Sequence, residues 1–105
     1  MIPLPRLHPQ AEAEFLDAVA YYEAAENGLG DRFDAAVARA VQDIADRPNA
    51  WPKFPGWGRL PLVRSRKVSI FPYRVVYVVH ESELVILAIA HQHRHPGYWK
   101  HRLDR

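Results

Sequence analysis

Between Pro48 and Pro61 the chain reads PNAWPKFPGWGRLP, a stretch that neither a helix nor a strand interior accepts. Its four prolines, at 48, 52, 55 and 61, lack the amide hydrogen that regular structure needs, and Gly56 and Gly58 loosen the backbone further. The segment therefore splits the chain into two halves with different patterning. Trp51, Phe54 and Trp57 recur along it. They serve either as anchors that pin the loop to helices or a sheet edge, or as an exposed platform for stacking bases.

The half before the break has a helical period. PQAEAEFLDAVAYYEAAEN is rich in alanine and glutamate, both good helix formers, and Pro9 suits a first helical turn. Phe15, Val19 and Tyr22, with Leu16 beside them, define one apolar face. Asn27-Gly28 is a stop signal. A second helix follows at once, with Leu29, Phe33, Val37, Val41 and Ile44 on one stripe and Pro48 as its end. So short a connection makes the pair an antiparallel helical hairpin.

The half after the break is β. LVRSRKVSI, YRVVYVV and ELVILAIAH are rich in β-branched and aromatic residues and are separated by turn-like FP and HESE. Short connections imply an antiparallel meander, and LVILAIA, apolar on both faces, belongs in the middle of the sheet. The opening IPLPRLHP carries prolines and fits an edge strand at best. The expected order is β-α-α-β-β-β: an α+β fold in which a helical hairpin packs on a small antiparallel β-sheet. It forms one domain over residues 1–105 and ends in a basic tail.

Charge is distributed unevenly. Residues 1–48 carry four basic and nine acidic side chains, and residues 49–105 carry ten basic and three acidic. Such asymmetry points to a polyanionic partner for the basic half, or else to solvated charges that happen to segregate. There is no cysteine, which excludes disulfides and thiolate zinc sites. No apolar run approaches the roughly 20 residues of a membrane span, and the N-terminus lacks the pattern of a signal peptide. A soluble cytoplasmic protein is expected.

Four of the six histidines lie in AHQHRHPGYWKHRLDR. His91, His93 and His95 alternate, which suggests a metal site. However, positions two apart in a strand are roughly 6.5 Å apart, Pro96-Gly97 breaks the strand, and Arg94 sits among them. No metal or other cofactor is expected.

At FPYRVVYVVHESELVILAIAHQHRHPGYW the sequence resembles the RelE/ParE superfamily, toxins of bacterial type II toxin–antitoxin systems of the plasmid-stabilisation type. The similarity extends through HPQAEAEFLDAVAYYE, GLGDRF and the tryptophan-proline loop. It implies growth inhibition and a cognate antitoxin protein that wraps the toxin. It leaves two targets open: mRNA on the ribosome, cleaved without a metal by RelE-like members, or DNA gyrase, poisoned by ParE-like members that have no known hydrolytic site.

RNA cleavage by a 2′-hydroxyl needs a proton acceptor, cations for the phosphate and an acid for the leaving oxygen. The resemblance places Arg74 at the sheet arginine and Arg94 at the post-strand arginine of RelE-like enzymes. Lys67 matches one of two strand lysines, while Ser65 stands at the other. Tyr98 is the candidate for the C-terminal tyrosine, two places earlier than an ungapped match. His91 is the candidate to complete proton transfer, or else a structural hydrogen-bonder at a strand end. Arg74 either meets phosphate or pairs with a helix carboxylate. Arg64, Arg66, Lys100 and Arg102 are candidates for nucleic-acid contact, with strand alternation setting Lys67 apart from the first two. Lys100, Arg102 and Arg105 are expected as a solvent-facing tail. The resulting readings are a metal-independent mRNA endoribonuclease, a gyrase inhibitor, or a degenerate member that retains only antitoxin binding.

Overall fold

A computed structural model describes residues 5–104. The opening residues of IPLPRLHP and the tail residue Arg105 lie outside the described residues. The elements run β1 (Arg6–Leu7), α1 (Pro9–Ala25), α2 (Leu29–Asp46), β2 (Val63–Lys67), β3 (Tyr73–His80) and β4 (Glu83–His91), with a closing 3-10 turn (Lys100–Asp104). The expected order holds. The sheet is ordered β1-β4-β3-β2, so the aliphatic β4 is internal and β1 is an edge. β2, β3 and β4 form the antiparallel meander, whereas β1 joins β4 in parallel, which makes the sheet mixed.

The hairpin starts with His8, whose Nδ1 accepts from the Gln10 amide at 3.1 Å, followed by Pro9 in the first turn. Both devices satisfy a helix start. α1 buries Ala11 and Ala18, and Phe15, Val19 and Tyr22 are partly buried against the core. Leu16 lies outside this face and is exposed, because small alanines rather than leucine make the closest approach. α2 buries Phe33, Val37, Ala40 and Ile44. Phe33 is the hub, with ring centroids 5.1 Å from Phe71, 5.0 Å from Tyr73 and 5.2 Å from Tyr22.

One irregularity governs the far half of β4. Val76 pairs with Ala88 and Tyr77 with Ile86, so Leu87 is an extra residue, a β-bulge. Before it, Leu84 and Ile86 face the helices while Val85 faces away; after it, Ile89 faces the helices while Ala88 and Ala90 face away. The alternation is inverted past the bulge, and His91 is carried to the helix side, beside Tyr73.

The opposite face of the sheet is also covered. Trp99 is buried there among Val63, Val76, Val78, Leu87 and Ala88. Phe54 and Trp57 meet its ring at 4.9 and 5.7 Å. The proline loop is thus an anchor on both sides of the sheet. Trp51 joins the helix-side core and donates to the Asp43 carbonyl at 3.2 Å. Phe54 N–H donates to Val63 O at 2.7 Å, and Ser65 N–H to Pro52 O at 3.1 Å, so the loop shields the outer edge of β2. Tyr77 sends its hydroxyl through the core to the Pro48 carbonyl at 2.6 Å.

Two backbone positions carry local constraint. Gly30 sits where the helices cross, and a Cβ there would lie 2.8 Å from the Val19 carbonyl oxygen. Ile70, in the turn between β2 and β3, has φ 76°, a left-handed conformation that β-branched residues avoid. Its neighbours Val68 and Phe71 are both buried, and the chain must reverse between them. Gly30→Ala is expected to push the helices apart and lower stability by about 1–3 kcal/mol. The check is a lower urea midpoint with an unchanged slope; an unchanged midpoint would show that the crossing has slack.

Candidate functional site

The candidate residues divide into two groups on opposite faces of the sheet. Lys67 stands across from Arg74 in the β2–β3 register, and Ser65 across from Val76. All lie on the face away from the helices. Arg74 Nη1 donates to Ser65 Oγ at 3.1 Å, so the arginine is exposed and does not pair with a helix carboxylate. Ser65, standing where a lysine is expected, supplies an acceptor rather than a second cation. No acidic side chain forms an ion pair with Lys67 or Arg74 among the described residues.

His91 and Arg94 lie on the other side because of the Leu87 bulge. They line a shallow notch of about 380 Å³ with Glu14, Asp17, Tyr21 and Tyr73. The His91 ring lies 5.0 Å from Tyr73, edge to face, and its Nδ1 accepts from the His93 amide at 3.0 Å. That bond fixes one ring nitrogen within the turn. Among the described residues no group of three side chains is placed to hold a metal ion.

Tyr98 is committed to Glu14. Its hydroxyl donates to Glu14 Oε2 at 2.7 Å, and the Arg94 guanidinium lies 3.9 Å from its ring centroid. Burial pushes the phenol well above its ordinary pKa, and the bond to the Glu14 carboxylate adds to that. A phenol so held is a poor proton carrier near neutrality.

Glu14 is the residue that sequence reasoning missed. β1 pairs with β4 only at Val85 and Ile86, which leaves the edge of β4 without a strand from Leu87 onward. Glu14 Oε1 accepts from the Ile89 amide at 3.1 Å, in the position a strand carbonyl would hold. Arg102 Nη1 donates to Leu87 O at 2.9 Å and to Glu14 Oε1 at 3.0 Å, and Nη2 to Glu14 Oε2 at 2.9 Å. The two side chains thus replace the missing strand. A signal was present: Glu14 falls between Ala11 and Ala18 at spacings of three and four, on the buried stripe of α1.

Arg102 is a correction. Expected as a solvent-facing contact to nucleic acid, it is 4% exposed and bound to Glu14 and the backbone. Burial works against its charge, but the hydrogen bonds and charge of Glu14 prevail and its pKa is raised. Arg64 and Arg66 are likewise tied into the fold. Arg64 Nη1 donates to Trp51 O at 2.8 Å, and Arg66 stacks on the Trp51 ring at 4.1 Å and pairs with Asp43 at 3.2 Å. They lie on the helix side, apart from Lys67, as alternation requires. Of these four, Lys100 is exposed, and it forms no ion pair among the described residues.

A family model described as the ParE toxin of the type II toxin–antitoxin system, parDE, matches residues 6–96. Tyr98, Trp99 and Arg102 fall beyond that match. Among solved structures, the chain is similar to the chromosomal ParDE TA system from P. aeruginosa, with a TM-score of 0.63 at 20% identity. The alignment covers 86% of this chain and 96% of that one, and it supports the same fold. No curated protein sequence matches the chain.

Two outcomes follow from the Glu14 cluster. Glu14→Ala strands a buried guanidinium and is expected to cost about 3–5 kcal/mol. Glu14→Leu combined with Arg102→Leu should be milder than either single change, which a double-mutant cycle of urea midpoints checks. The phenols give the pH dependence. Tyr77 is pushed up to about 12 by burial, with nearby Arg64 opposing, and Tyr98 is raised further. A raised phenol stabilises the fold fully below its unfolded value of about 10 and loses that contribution as pH rises through the folded value. Thermal stability should therefore fall from pH 10 towards 12, with Tyr98→Phe removing a late step from the phenolate absorbance titration.

Proposed function

This chain belongs to the ParE toxin family of type II toxin–antitoxin systems, and on that footing we propose that it arrests growth in the cytoplasm by binding DNA gyrase rather than by cutting RNA. The observation that carries this reading is the bond between Tyr98 and Glu14. A nuclease of this superfamily needs its tyrosine free beside the sheet cations. Here the hydroxyl is held by a carboxylate, and His91, the other proton carrier, lies across the sheet from Lys67 and Arg74. Two cations without a proton carrier bind an anion but do not divide the barrier of phosphodiester cleavage. The aromatics that would stack bases are packed inward instead, Trp51 against the helix-side core and Phe54 and Trp57 against Trp99.

A cognate antitoxin is the second partner. A groove of about 710 Å³ runs along the hairpin, lined by Leu7, Phe15, Val37, Val41, Ile86 and Ile89. Its apolar walls suit an amphipathic segment of the antitoxin, with Asp34 and Asp46 at the rim for basic groups.

The endoribonuclease reading keeps one favourable feature: Lys67 and Arg74 stand side by side on the superfamily's catalytic face. The two readings part on induction of the toxin without its antitoxin. Growth arrest with trapped gyrase–DNA complexes and unbroken transcripts is expected. Transcripts cut within coding regions, with gyrase unaffected, would establish the nuclease instead, and harmless expression would mark a chain that only binds antitoxin.

A further inference from the structure

Ile70 combines two costs that a structural residue has no reason to bear. It is 91% exposed, and its backbone has φ 76°. The turn itself is well fixed. Val68 N–H donates to Tyr73 O at 2.9 Å, Gln92 N–H to Pro72 O at 2.9 Å, and Val68 and Phe71 are buried on either side. That frame needs a left-handed residue at position 70, and glycine or asparagine would supply it with less strain. Isoleucine adds nothing to the core from there. Strain of this kind, held by a well-determined frame, is a mark of a functional position.

The surroundings indicate what it meets. Lys67 and Arg74 flank the same turn on paired strands, both exposed and without acidic partners among the described residues. A branched aliphatic tip offers no π-face for a base, so the combination does not fit single-stranded nucleic acid well. It fits a protein surface in which an apolar pocket is bordered by carboxylates. Burial of one apolar anchor gives affinity, and charges around it give orientation and speed.

We propose that the β2–β3 turn is the contact to the toxin's protein target, with Ile70 seated in an apolar pocket and Lys67 and Arg74 paired to acidic side chains around it. This deepens the reading of the chain as a gyrase inhibitor and rests on it. It also separates two surfaces: the target meets the turn, and the antitoxin meets the hairpin groove at the other layer of the molecule.

The test compares the wild-type chain with Ile70→Gly and with Lys67→Glu combined with Arg74→Glu, using purified gyrase and antitoxin. Ile70→Gly relieves the strained position, so its melting temperature should equal or exceed that of the wild type. Its inhibition of supercoiling should nevertheless weaken by about tenfold or more, with antitoxin affinity unchanged. The charge-reversed variant should lose inhibition and its dependence on salt. Inhibition by Ile70→Gly at wild-type strength would overturn the proposal. So would normal growth arrest by a variant that escapes the antitoxin, which would assign the turn to that partner. If the wild type arrests growth without touching gyrase, the gyrase reading alone fails. Growth arrest by Ile70→Gly then decides: its loss upholds the turn as the contact to another target, and its persistence overturns it.

Discussion

The buried pair of Glu14 and Arg102 holds together parts of the chain that otherwise share little. β1 is two residues long and leaves β4 with open hydrogen-bonding groups in its second half. Open groups on a largely buried strand are costly, and they invite pairing with another chain. The carboxylate of α1 comes from the helix side, the guanidinium from the tail on the other side, and they meet at the strand edge. The Ile89 amide and the Leu87 carbonyl receive partners and each charge an opposite charge. Among the described residues, Arg102 Nε is the one buried side-chain polar atom left without a hydrogen bond. The tail can then lie down on the sheet, placing Trp99 where it completes the second core.

That arrangement bears directly on chemistry. Tyr98 and Arg94 sit between the buried pair and the rim, and the fold uses the tyrosine hydroxyl as one more bond to Glu14. A side chain serving in a buried network resists titration and movement, the two properties that proton transfer needs. The Leu87 bulge completes the separation by inverting the side-chain alternation ahead of His91. Residues that look neighbourly along AHQHRHPGYW are thereby assigned to different faces.

Periodicity made the larger elements legible. The stripe from Leu29 to Ile44 reads directly as the buried face of α2, and the both-sided apolar run LVILAIA reads as an internal strand. The bulge inside that run was not legible, because an extra residue among seven apolar ones leaves the pattern apolar on both faces. The parallel pairing of β1 was hidden for a related reason: two residues carry no period. Arg102 was misread because KHRLDR has the composition of a solvated tail, and only a partner 88 residues away makes its burial affordable. Long-range pairing of this kind leaves no local trace at the arginine; what trace exists is at Glu14, a carboxylate standing on an apolar stripe.

The uneven charge along the chain now has a physical account. Two of the ion pairs join a carboxylate from the acidic half to an arginine from the basic half, Glu14 to Arg102 and Asp43 to Arg66. That part of the segregation is complementarity between the two halves across their own interface. Exposed cations remain after that pairing, with Lys53, Arg59, Arg94 and Lys100 among them. Lys67 and Arg74 keep their charges outward at one end of the sheet, next to the exposed turn. Charge concentrated at one end steers a partner by its approach direction, accelerating association and making it sensitive to salt, while contributing less to the final affinity.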